Sequence, residues 1–334
     1  MMVWISEIIH GWLGWCPNVQ GLRAAPSVPP AHPVQWSPVQ PDGGARGAGR
    51  LDRGFGFAIG SIKVLIRNLR LLWFALITGI VMIANLAVTL YIQFSSGDNP
   101  LFATALGLAA PAIIIVKGSA EWIVLTFGAG LIFTFLSYLL LGALMTCTAS
   151  IISGTNIPVL TGLSRAVNHA RPLLYWAAIG AAVGTVLSYG INFYIGSLPI
   201  LLLLTTASVA FFVLTMFVIP AIVIQDNDLI PAIRGSVSLF RQMWGEIVSC
   251  YVVYFVIAFI IILISVIPLT IIGFSTGNTF AATTAILAYI LIMAGIMFLG
   301  STIIGIATLG MYIYGKTGTV TPYFGGRTEE MDLS

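Results

Sequence analysis

A pair of carboxylates, Asp226 and Asp228, stands in the run Gln225-Asp226-Asn227-Asp228 between two long apolar stretches. Such a pair could touch a cation, but its place between two helical runs suits ending one helix and capping the next. The three histidines, His10, His32 and His169, have no carboxylate or cysteine at ligand spacing, and polar surface roles are expected of them. The three cysteines show no metal or redox spacing. Cys147 and Cys250 lie in apolar runs as small packing residues, and Cys16 stands alone. No phosphate-binding glycine loop occurs; the 35 glycines are spread through apolar runs, where small residues let helices approach closely. No catalytic, metal or cofactor-binding residue is therefore assigned, and no cofactor is expected.

The elements that carry these residues belong to lipid. With 58% hydrophobic and 7% charged residues, the chain is far from soluble proteins, where roughly a quarter of residues are charged. Its mean hydropathy is +1.02. The net charge of +3 comes from Lys and Arg placed singly at the ends of apolar runs, a pattern that orients membrane spans and does not bind nucleic acid.

Crossing the hydrocarbon takes about 20 apolar residues as a helix, because a helix pairs its own backbone groups there. Six segments qualify: Leu71–Phe94, Trp122–Ile152, Leu173–Tyr194, Leu198–Ile224, Ile247–Ile272 and Thr279–Tyr314. The fold class expected is all-α, a polytopic bundle of six transmembrane helices with cytoplasmic amphipathic helices at the interface. Thirteen of the 14 Lys and Arg residues then fall on one side and only Lys117 on the other, which puts both termini in the cytoplasm by the positive-inside rule. Leu101–Val116, interrupted by Pro111, is short for a span, and counting it as one would reverse that bias; an external segment is expected. Pro111, Pro220 and Pro268 are candidate bends or ends of helices.

Polar groups in or beside the spans are few. Asn85 and Asn192 are the most polar groups expected at depth, either as interhelical hydrogen bonders or as intramembrane contacts to a substrate. Glu121 and Glu246 sit at span entrances, where the positive end of the helix dipole favours a carboxylate.

Three amphipathic stretches lead into spans on the basic side. In Gly54–Leu72, Ile59, Ile62, Ile66 and Leu69 share an arc edged by Lys63, Arg67 and Arg70. In Pro231–Trp244, Ile233, Val237, Phe240 and Trp244 share a face beside Arg234 and Arg241. Pro158–Arg171 is a weaker version with Arg165, His169 and Arg171. Such helices lie in the headgroup plane with basic side chains reaching for phosphate, so Lys63, Arg67, Arg70, Arg234 and Arg241 are the candidate headgroup contacts. The organisation is a surface helix followed by a hairpin of spans, three times over.

Residues 1–16 form a further amphipathic pattern, with Trp4, Trp12 and Trp15 on the apolar half and Glu7 and His10 opposite. The absence of a basic n-region argues against a signal peptide. Residues 17–53 are rich in Pro and Gly and are expected to be a disordered linker. The membrane domain is expected over 54–324, with a cytoplasmic tail over 325–334.

Phe217-Val-Ile-Pro220, Pro231-Ala-Ile-Arg234, Ser238-Leu-Phe-Arg241, Trp244-Gly-Glu246, Gly162-Leu-Ser-Arg165 and the closing Tyr314-Gly-Lys-Thr-Gly318 with Pro322-Tyr-Phe324 resemble, as a set, an uncharacterised family of six-span archaeal and bacterial membrane proteins. A looser likeness extends to the membrane domain beside some glycerophosphodiester phosphodiesterases, but no phosphodiesterase domain is present and that activity does not carry over. The leader Trp12-Leu-Gly-Trp-Cys16-Pro-Asn18 is similar to the start of another uncharacterised membrane family, from methanogens. The resemblance implies an archaeal cell-membrane protein and transfers no site residues.

The function expected is that of a non-catalytic membrane accessory or scaffold protein. Its partners would be the bilayer and anionic lipid headgroups, with a membrane-protein partner or a second copy of the chain in addition. The alternative is a small-molecule transporter or channel, which a cavity reaching Asn85 or Asn192 would favour.

Overall fold

The computed structural model describes residues 49–94, 119–155, 157–194, 197–275, 279–318 and Phe324. The leader 1–16, most of the linker, the segment Leu101–Val116 and the tail 325–334 lie outside the described residues. In chain order the helices are α1 (Arg50–Arg67), a 3-10 turn (Leu69–Leu71), α2 (Leu72–Phe94), α3 (Ala120–Ile152), α4 (Val159–Asn168), α5 (Ala170–Phe193), α6 (Leu198–Thr215), α7 (Val218–Gln225), α8 (Leu229–Ser275) and α9 (Thr279–Thr317). No strand occurs among the described residues.

Six of these stretches are long and apolar enough to cross a membrane: Leu69–Thr89, Ala120–Ile152, Ala170–Gly190, Leu198–Gln225, Leu229–Ser265 and Leu291–Thr317. Each overlaps one of the six runs expected from hydropathy. α3 begins at a capped end, where Ser119 Oγ accepts a hydrogen bond from Trp122 N at 3.2 Å and Glu121 lies in the first turn.

The surface helices precede their spans as expected, but one detail differs. Arg50–Arg53, assigned to the linker by composition, form the first turn of α1. α1 packs on the bundle by an edge beside its apolar arc and leaves much of that arc facing outward. Phe57, Ala58, Ser61, Val64 and Leu65 are buried, while Ile59, Ile66 and Leu69 of the expected apolar arc are exposed and Ile62 is half-buried. In the first part of α8 the buried edge is likewise Ala232, Ser236, Leu239 and Met243; Ile233, Val237 and Phe240 are half-buried, and Trp244 is exposed. Met243 has non-helical backbone angles (φ −118, ψ 15), which separate this amphipathic part of α8 from the span that follows.

The fourth span is not one helix. It breaks between α6 and α7, four residues ahead of Pro220, whose ring crowds the carbonyl of Met216 and which offers no N–H to it. A neighbouring helix satisfies the freed groups: the fully buried Ser236 Oγ donates to the Leu214 carbonyl at 2.8 Å and accepts from Phe217 N at 3.2 Å.

Among the described residues, burial is concentrated at one end. The main core gathers Phe57, Leu71, Leu144, Phe217, Ile247 and Leu309, contributed by the surface helices and the adjoining ends of the spans. Towards the other ends of α2 and α3 the described residues form a small buried cluster of Ile92 and Trp122. Close approach of α1 depends on Gly54, where a Cβ would collide with Ser249 Oγ of α8. Gly310 of α9 is similarly required, because the Phe324 ring lies 2.8 Å from where its Cβ would stand. Phe324 is buried there, 5.5 Å from the Phe57 ring.

Candidate functional site

The basic residues of α1, α4 and early α8 gather at the densely packed end. α1 meets α8 where Arg53 Nη2 bonds Glu246 Oε1 at 2.7 Å, and it meets α9 where the Arg53 guanidinium lies 5.8 Å from the Tyr314 ring centroid. Early α8 meets the end of α9, where Leu239 and Met243 flank Gly315 beside Lys316. α4 packs on the end of α3, Gly162 against Cys147, and His169 joins Asp226 at 2.7 Å across the α4–α5 and α7–α8 corners. Lys63, Arg67, Arg70, Arg234 and Arg241 are all exposed. Among the described residues no carboxylate pairs with any of them.

Arg67 and Arg70 do more than decorate a surface. Asn68 ends α1 with φ −126, and its Nδ2 donates to the Val64 carbonyl at 3.0 Å. The 3-10 turn that follows points Leu71 inward and leaves Leu69 and Arg70 outside. The result is a cleft of about 400 Å3 lined by Arg67, Asn68 and Arg70 on one wall and by Cys147, Ile151 and Val159 of α3 and α4 on the other. Two guanidinium groups without a carboxylate partner make this an oxyanion-binding arrangement.

Asn85 lines a cavity of about 210 Å3 between α2, α3 and α5, together with Thr89, Thr126, Thr134, Thr185 and Ser188. Thr126 Oγ1 is buried there without a hydrogen-bond partner among the described residues, and Thr185 Oγ1 donates within its own helix to Ala181 O at 2.8 Å. Asn192 is the penultimate residue of α5.

Asp226 ends α7 in the left-handed region (φ 53), and Asn227 N closes back on Ala221 O at 3.3 Å, so helix termination is its local role. Its bond to His169 had no sequence signal, being 57 residues away. The Arg53–Glu246 pair was equally hidden, because Arg53 sat among basic residues expected only to set topology. A carboxylate at a span entrance was the one hint that some cation should meet it. No group of three or more His, Cys, Asp or Glu that could hold a metal occurs among the described residues, where Cys147 and Cys250 are buried free thiols.

The fold and this site define a multi-pass α-helical membrane protein with a basic, densely packed end. No protein-family model, curated protein or solved structure matches the chain.

Proposed function

We propose that the protein is a non-catalytic accessory or scaffold of the cell membrane whose basic end faces the cytoplasm and engages anionic lipid headgroups. The observation that carries this reading is the outward face of α1 and its corner with α2. Phe55, Ile59 and Ile66 are exposed apolar groups suited to lipid, and Lys63, Arg67 and Arg70 stand beside them with no carboxylate partner among the described residues. Arg234 and Arg241 extend the same charge along early α8. Each basic group near an anionic membrane surface contributes about 1 kcal/mol. The test is the anionic lipid that co-purifies with the protein. Replacing Lys63, Arg67, Arg70, Arg234 and Arg241 together with Gln should strip most of it while zwitterionic lipid is retained. Unchanged anionic lipid would overturn the reading.

A second reading, a small-molecule transporter, draws on the cavity at Asn85. Its hydroxyl and amide lining would suit a small neutral polar solute, since no charged side chain among the described residues lines it. Proteoliposomes that swell in glycerol no faster than protein-free liposomes would remove a polyol of that size from consideration.

A further inference from the structure

We propose that the α1–α2 corner is a discrete site for one anionic glycerophospholipid, its phosphate held between Arg67 and Arg70 and one acyl chain lying in the groove between α2 and α9. The inference rests on the lipid-contact reading above and narrows it from a charged surface to a single built site.

The groove is the second half of the argument. It encloses about 390 Å3 and is lined by Leu69, Leu72, Trp73, Leu76, Phe298 and Leu299. Leu69 lines both this groove and the Arg67–Arg70 cleft, so the polar and apolar spaces meet at one side chain. Leu69, Trp73 and Leu76 recur at helical spacing and are exposed, forming a stripe that descends α2 from the headgroup end. From Arg70 to Leu76 the helix rises about 9 Å, which brings a chain from the phosphate into the hydrocarbon. Trp73 sits one turn below Arg70, at the interfacial depth that indole prefers.

Charge complementarity selects the occupant. Two guanidinium groups can each donate a pair of N–H bonds to phosphate oxygens. Asn68 spends one amide N–H on Val64 O and keeps the other for the same anion. A free phosphate would satisfy the arginines but has nothing to place against Trp73 and Leu76. A zwitterionic lipid could fill the groove but brings its own cation to the two arginines.

The experiment reads Trp73 directly. Phosphatidylglycerol with brominated acyl chains, or the matching phosphatidylcholine, is titrated into the full-length protein in detergent micelles. The quenching lost in Trp73→Phe is taken as the Trp73 signal. Phosphatidylglycerol should quench at a lipid fraction roughly thirtyfold below phosphatidylcholine. Arg67→Gln/Arg70→Gln should bring the two lipids together, Arg67→Lys/Arg70→Lys should keep most of the preference, and Arg234→Gln/Arg241→Gln should leave it intact. Leu299→Phe, which narrows the groove and keeps both arginines, should reduce Trp73 quenching by either lipid. Excess inorganic phosphate should not restore the fluorescence.

Equal quenching of the wild type by both lipids overturns the site. So does relief by inorganic phosphate alone, which would mark a soluble-anion cleft, or a loss of preference as large in Arg234→Gln/Arg241→Gln as at the corner. If the site fails while co-purifying anionic lipid still falls in the fivefold Gln variant, the broader lipid-contact reading survives. If that lipid is also unchanged, both fall.

Discussion

Arg53 Nη2 lies 2.7 Å from Glu246 Oε1, and the carboxylate it meets is only 3% exposed. Glu246 Oε2 is buried with no partner among the described residues. This pair clasps α1 to α8 across 193 residues of sequence. Removing one member strands a buried charge, at about 3–5 kcal/mol. Arg53→Met should therefore lower the thermal midpoint in detergent far more than Arg53→Met/Glu246→Leu, in which the buried carboxylate is removed as well. The His169–Asp226 contact has the same 2.7 Å length, but its Asp is 48% exposed. A double-mutant cycle there should return a coupling below about 1 kcal/mol. Coupling of equal size at both pairs would contradict this ranking by burial.

Ser236→Ala should destabilise by about 1–3 kcal/mol, because it leaves the Phe217 N–H and Leu214 C=O at the break without their shared partner. Chemical unfolding of the purified protein reads the change. Ser238→Ala, on the exposed side of the same helix, is the control and should lie within about 0.5 kcal/mol of wild type.

Phe324→Ala should cost about 3–5 kcal/mol, the usual range for emptying a buried aromatic site. Gly310→Leu should mimic it by occupying the space of the ring. Limited proteolysis provides a second readout: either change should speed cleavage after residue 318 and leave cleavage elsewhere unaltered.

A reporter active only in the cytoplasm should be active when fused after Ser334 and silent at Ser275, the end of α8. Activity at Ser275 would reverse the membrane orientation proposed for the basic end.

The spans were legible because continuous apolar length is a strong signal and caps such as Ser119 need only local sequence. The face of α1 was not. In water, an apolar stripe marks the side turned to the core, but a helix among lipids is apolar on both sides. The arc of Ile59 and Ile66 was legible as one such side, but the edge that packs on the bundle, with Phe57, Val64 and Leu65, was not. Pro220 announced a bend, yet nothing nearby indicated that Ser236 would repair it. Asn85 was visible as a polar residue at depth, whereas the hydroxyls converging on it come from helices whose pairing the sequence does not print. Arg67 and Arg70 were named correctly as exposed basic groups, but the cleft between them depends on the 3-10 turn and on the ends of α3 and α4.

The Ser236 stitch bears on how the chain is made. Residues emerge from the ribosome in order, so α6 and α7 are complete before Ser236 exists. During that interval the Leu214 carbonyl and Phe217 amide must find a temporary partner, such as water admitted beside the translocon. The fourth span is thus unfinished when it is synthesised and is completed by the segment after it. A truncation ending between Gln225 and Ser236 should be a substrate for membrane quality control, whereas one that extends past Ser236 supplies the missing donor and acceptor together.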